Sequence, residues 1–145
     1  MTDIPLPQPS PRAANFVAAM QAMQLTPQEQ ALYQMHLQNL YGPGGVDNPD
    51  GSRSTLYQAV IEHNGKFYNI PTVWNGKIVP VPQAVANAHA AGGLDAFPSY
   101  ATPEQADTRY QQMHGFMEKD TGAYFAQQNA APAPAQPTTR LQNME

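Results

Sequence analysis

The chain of 145 residues contains no cysteine, which excludes disulfides and thiolate-bound metal. Charge is scarce as well. Only 12% of residues are Asp, Glu, Lys or Arg, against about a quarter in ordinary globular chains. The seven cations (Arg12, Arg53, Lys66, Lys77, Arg109, Lys119 and Arg140) stand singly in a chain of net charge −4. Neutralising a run of phosphates needs clustered cations, so direct nucleic-acid binding is not expected. No stretch approaches the roughly 20 apolar residues that a membrane-spanning helix requires. The opening MTDIPLPQPSPR lacks a cationic start followed by an apolar run. The expectation is a chain made and kept in a cytoplasm, with no membrane span.

Proline and glycine, by contrast, are plentiful, with 15 and 10 copies. Residues 1–11 hold Pro5, Pro7, Pro9 and Pro11, and residues 126–145 include APAPAQP. Such composition favours extended chain without a core. Both segments are therefore expected to be arms, with Ile4 and Leu6 in the first and Leu141 and Met144 in the second as spaced apolar anchors for a neighbouring subunit.

Residues 12–41 are expected to form two helices. Phe16, Val17, Met20 and Met23 fall at helical spacing. Thr26-Pro27-Gln28-Glu29 then reads as a helix start, with Thr26 as cap and Glu29 three residues on, and Gly42-Pro43-Gly44-Gly45 stops that second helix near Tyr41. Asn48-Pro49-Asp50-Gly51 has type I turn residues. Aligned as a calcium loop it would put Val46 and Tyr57 at ligand positions, so the oxygen cage fails.

Asn64-Gly65 and Asn75-Gly76, eleven residues apart, both carry the two-residue hairpin signal. They predict a three-stranded antiparallel meander of Thr55–His63, Lys66–Trp74 and Lys77–Val81. The register pairs Ile61 with Tyr68, Ala59 with Ile70, Thr72 with Val79 and Trp74 with Lys77. One face carries Tyr57, Ala59, Ile61, Tyr68, Ile70, Trp74, Val79 and Val81, with Trp74, the only tryptophan, expected to be largely buried. The other carries Leu56, Val60, Phe67, Val73 and Ile78, so both faces need cover. Helices over Gln83–Ala91 and from the Thr102 cap to about Lys119, with Ala106, Tyr110, Met113 and Met117 on a stripe, supply part of it. Leu56, Val60, Phe67 and Val73 are the sheet residues expected to meet a partner. The fold class is thus α+β, with a compact module over residues 42–125 packed by helices.

Chemistry is sparse. His36, His63, His89 and His114 are dispersed, and none sits three or four residues from another, so no metal set is expected. His114 and Glu118 share a helix face as a salt link or solvated pair. Gly42–Gly45 lacks the Lys-Ser/Thr of a phosphate loop, and no nucleophile elbow occurs. No catalytic residue, metal or cofactor is assigned, and the chain is read as a non-enzyme.

Asp50-Gly51-Ser52, Ser54-Thr55, Tyr68, Ile70-Pro71-Thr72-Val73, Asn75-Gly76-Lys77, Phe97-Pro98-Ser99-Tyr100, Thr102, Glu104, Ala106 and Met113-His114 together resemble a module that recurs in virion proteins of tailed bacteriophages. The resemblance covers residues 42–120. It implies a building block of particle, tail and genome-ejection proteins, with no catalytic residue. The expected role is a non-enzymatic structural component at the head-to-tail junction or tail. Its expected partners are portal, adaptor or tail proteins, and it would be present in multiple symmetric copies. The alternatives are an ejected or cell-wall-associated accessory for genome delivery, a capsid decoration protein, or an early host-interaction protein.

Overall fold

The computed structural model describes residues 13–129 of the chain. The first helix, α1 (Ala14–Met23), ends where Gln24 turns left-handed at φ 52. Thr26 then starts α2 (Pro27–Tyr41) with the expected reciprocal cap. Thr26 Oγ1 accepts from the Glu29 N–H at 3.2 Å, and Glu29 Oε1 accepts from the Thr26 N–H at 3.0 Å.

No basic residue lies in the last turn of α2. Its carbonyls take their positive partner from outside: Arg53 donates to Leu40 O at 3.2 Å, Asn39 O at 3.1 Å and Gly42 O at 2.5 Å. The glycines of Gly42-Pro43-Gly44-Gly45 serve this close approach. A Cβ on Gly45 would stand 2.5 Å from Asn39 O and 2.8 Å from Arg53 Nε. Arg53 sits on a small hairpin of β1 (Val46–Asp47) and β2 (Arg53–Ser54), and the intervening turn closes by Gly51 N–H donating to Asn48 O at 3.0 Å.

Strands β3 (Ala59–His63) and β4 (Lys66–Ile70) pair with Ile61 opposite Tyr68 and Ala59 opposite Ile70, as expected. Positive φ at both Asn64 (53°) and Gly65 (78°) makes their turn type I′. A second such turn at Asn75-Gly76 joins β5 (Val73–Trp74) to β6 (Lys77–Ile78), with Trp74 opposite Lys77 and the Val79 N–H donating to Thr72 O at 2.8 Å.

The third strand of the sheet is not the one expected. The order is β3-β4-β7, where β7 is Ser99–Tyr100, and β5–β6 forms a separate hairpin. Pro71 has no N–H to continue the ladder, and the next two N–H groups, of Thr72 and Val73, both turn to Leu56 O at 2.7 and 3.2 Å. The chain therefore leaves the sheet after Ile70. The far edge of β4 is taken instead by β7, extended by the Asn69 N–H to Pro98 O bond at 3.0 Å. Strand structure also begins later than Thr55, because Tyr57 is left-handed at φ 44.

Helix α3 (Val81–Ala90) starts two residues before Gln83, with Pro80 as its cap, and so truncates the expected Lys77–Val81 strand. After a 3-10 turn at Leu94–Ala96 and β7, α4 (Pro103–Asn129) runs 27 residues. Thr102 Oγ1 accepts from Gln105 N–H at 3.0 Å at its start. The helix continues ten residues past Lys119, into the segment expected to be an arm. The stripe Ala106, Tyr110, Met113 and Met117 is buried as expected, and Asp120 prolongs it at 2% exposure.

Helix α4 covers the sheet face that holds Asn69, whose Nδ2 donates to Ala106 O at 2.8 Å. The other face, with Tyr68 and Ile70, meets α3 and the 3-10 turn through Ala84, Ala88 and Leu94 in one hydrophobic cluster.

Leu56 and Val73 are each 1% exposed and belong to the core, which takes them off any docking surface; Val60 and Phe67 are half-buried. Trp74 is also only half-buried, its Nε1 donating to Pro71 O at 2.8 Å. Among the described residues, Tyr57, Ile78 and Val81 are the large apolar side chains that face solvent. The anchors Ile4, Leu6, Leu141 and Met144 lie outside the described residues.

Glycine substitutions separate the two uses of this residue. Gly45→Ala should lower the unfolding free energy by about 1–3 kcal/mol through overpacking against α2 and Arg53. Gly122→Ala, at a helical position with open space around it, should raise it by about 0.5–1 kcal/mol. Urea denaturation of both variants checks the pair, and a shift of the same sign in both would contradict the assignment.

Candidate functional site

Two buried carboxylates organise the polar interior. Glu29, on α2, is fully buried. It takes a two-pronged ion pair from Arg109 of α4, Nη2 to Oε1 at 2.7 Å and Nε to Oε2 at 2.9 Å, with the Tyr100 hydroxyl of β7 at 2.6 Å. Burial by itself raises the Glu29 pKa. The bonds from Arg109, Tyr100 and Thr26 outweigh that and hold the carboxyl below its ordinary value. Burial, reinforced by Glu29, pushes the Tyr100 hydroxyl well up. Arg109 also donates to Met23 O at 3.1 Å, so one guanidinium joins α4, α2 and the end of α1.

The second carboxylate, Asp120 on α4, reaches back to the same two helices. Its Oδ2 accepts from Tyr33 Oη at 2.6 Å and pairs with His36 Nε2 at 3.1 Å, while Oδ1 accepts from Asn15 Nδ2 at 3.1 Å. Burial first, and the neighbouring Asp120 second, push the Tyr33 hydroxyl well above its ordinary value. His36 is 1% exposed, and its Nδ1 lies 2.7 Å from Thr55 Oγ1. With Nε2–H donating to Asp120, Nδ1 accepts the Thr55 hydroxyl proton, and each polar atom of the chain has a partner of the right kind.

The Thr55 end of this relay opens on a cleft of about 560 Å³ between the Ser52–Gln58 segment and the middle of α4. Tyr110, whose hydroxyl is pushed up to about 12 by burial against a hydrogen bond with the Gln58 backbone, lines its wall. His114 and Glu118 stand at its mouth, 3.8 Å apart and both solvent-exposed, in line with the solvated pair expected from sequence. Tyr57 also borders the cleft, with 64% of its surface exposed. Its left-handed backbone costs about 1–3 kcal/mol for a bulky residue. Thr72 secures it, its hydroxyl donating to Tyr57 O and its N–H to Leu56 O.

A hydroxyl, an imidazole and a carboxylate in series are the parts of a nucleophile, base and orienting group. Here the imidazole is sealed from solvent, and its carboxylate is shared with Tyr33 and Asn15. The arrangement is well made to fix Thr55 Oγ1 in one orientation with an oxygen lone pair left for a ligand. Sequence reading assigned none of Tyr33, His36, Thr55, Arg109 and Asp120 to a site. One signal was legible: Asp120 continues the three-to-four spacing of the α4 apolar stripe, where an acid must find buried partners.

No family model, curated protein or solved structure matches the chain.

Arg109→Met leaves Glu29 buried without its cation and should cost about 3–5 kcal/mol of stability at neutral pH. Because its folded pKa is depressed, Glu29 stabilises the native protein above its unfolded pKa of 4.5, and that contribution is lost as pH falls through the folded value. The deficit of the variant should accordingly shrink in acid, as the buried carboxyl takes up a proton. Equal deficits at pH 7 and pH 3.5, read by denaturant titration at roughly those values, would contradict the ion-pair account.

Proposed function

We propose that the chain is a non-enzymatic structural component of a tailed-phage virion, at the head-to-tail junction or tail. In this reading it is made in the bacterial cytoplasm and held in the particle in several symmetric copies by portal, adaptor or tail proteins. The observation that carries the proposal is the use to which the matching residues are put. Ile70 and Val73 are core, Pro71 ends the sheet ladder, Ser99–Tyr100 is β7, and Thr102 caps α4. Matching positions spent in this way on folding suit a building block that is reused in different particle proteins, although Thr55 and His114 of the same set line the cleft. The exposed Ile78 of the β5–β6 hairpin and Val81 at the start of α3 offer apolar contact area for a neighbour.

A second reading, an accessory that acts on the cell wall during genome delivery, is favoured by the Thr55–His36–Asp120 relay alone. A murein zymogram separates the two, and a cleared band would favour the accessory.

Mass-spectrometric inventory of purified particles should find the chain at a fixed copy number relative to the portal protein. Its absence from particles would overturn the virion assignment. Deleting residues 130–145, beyond the end of α4, should leave the far-ultraviolet circular dichroism and thermal midpoint of the remainder unchanged while reducing incorporation into particles. Normal incorporation of the truncated chain would remove the C-terminal segment, with Leu141 and Met144, from the docking surface.

A further inference from the structure

We propose that the cleft between α4 and the Ser52–Gln58 segment binds a short neutral saccharide. The proposal is independent of whether the chain belongs to a virion. The cleft volume of about 560 Å³ falls within the roughly 300–1,000 Å³ of small-ligand sites. Its chemistry narrows the class further.

The cation nearest the site is already committed. Arg53 spends Nε and both terminal nitrogens on Leu40 O, Asn39 O, Gly42 O and Asp47 Oδ1, so it has little to offer a phosphate or carboxylate. The group left at the mouth is the exposed Glu118 carboxylate beside His114, which repels an anion and accepts hydroxyl protons. Deeper in, Thr55 Oγ1 is locked by His36 as a directed acceptor. Thr121 Oγ1, bonded to Met117 O at 3.2 Å, adds a second hydroxyl on the α4 side of the cleft.

Tyr57 supplies the apolar half of the site. Its backbone is held in an unfavourable conformation, φ 44, while the residue stays 64% exposed. Among the described residues no ring stacks on it. An exposed aromatic carried on a strained backbone that neighbouring bonds hold in place, and that gains nothing from the core, is the pattern expected of a preorganised platform. Sugar rings present apolar C–H faces to such a platform and radiate hydroxyls toward acceptors and donors around it. Fixed hydroxyls, an exposed carboxylate and an exposed aromatic face match that division of a sugar's surface better than they match a charged ligand.

The strain also supplies the test. Tyr57→Gly relieves the positive-φ penalty and should be at least as stable as the native chain, so loss of binding in this variant cannot be put down to unfolding. Uniformly ¹⁵N-labelled protein is titrated with maltotriose, N,N′,N″-triacetylchitotriose, sialyllactose and an uncharged alanine–serine hexapeptide, followed by amide shifts. At least one of the two neutral trisaccharides should move the resonances of Thr55, Gln58, His114 and Thr121, with sialyllactose weaker. Tyr57→Gly should weaken that binding about tenfold or more, equivalent to about 1.4 kcal/mol, and Tyr57→Phe should retain it. Any one of three results overturns the proposal: no response to either neutral trisaccharide, a response to the hexapeptide alone, or native affinity in Tyr57→Gly.

Discussion

A carboxylate removed from water must be met by donors, and in this protein two such carboxylates decide where the helices lie. Glu29 projects from α2 toward α4, and Asp120 projects from α4 toward α2; each also has a link to α1, through Arg109 to Met23 O and directly to Asn15. Leaving either unpaired in the interior would cost several kcal/mol. The three helices are therefore held in one mutual arrangement that apolar packing alone, being non-directional, would specify less sharply. Contacts along α2 advance with contacts along α4, from Glu29 with Arg109 to His36 with Asp120 and on to Tyr41 with Tyr124, so the two helices run the same way.

The cleft is a consequence of that arrangement. His36 is fixed by Asp120 and in turn fixes Thr55, while Asn39 of the same helix donates to Thr55 O at 2.8 Å. Arg53, two residues earlier, caps α2. Arg53 and Thr55 are thereby tied to α2, and Leu56 O to the Thr72 and Val73 N–H groups. Between these two anchorages the backbone takes its left-handed step at Tyr57, which turns the ring outward. Two arginines, Arg53 and Arg109, satisfy the carbonyl ends of α2 and α1, helices without a cation of their own in the last turn. A chain with so few charges places these two where helix dipoles need them.

Much of the local structure was legible because it is written in short-range chemistry. The two Asn-Gly turns, the Thr26–Glu29 box and the Ala106–Met117 stripe each depend on residues a few positions apart. The sheet's third strand was not legible in this way. Two tandem hairpin signals implied a continuous meander, whereas Pro71 ends the ladder and β7 arrives from thirty residues downstream. Strand pairing at that separation is chosen by tertiary fit, which no local pattern encodes. The length of α4 was missed for a related reason: Asp120 and Gly122 discourage helix locally, yet the buried bonds of Asp120 outweigh that preference. The polar site escaped for want of spacing, since Thr55, His36 and Asp120 come from a loop and two helices far apart in the chain and have no motif.

The central claim is that the Asp120 carboxylate, with its partners Tyr33, His36 and Asn15, fastens α1 and α2 to α4. Residue-resolved hydrogen exchange on Asp120→Asn tests it most directly, because the substitution keeps the volume while replacing an acceptor oxygen by a donor. Amides of α1 and α2 should lose protection together with the second half of α4, while β3 and β4 stay close to native protection. Native protection throughout α1 and α2 in the variant would contradict the claim.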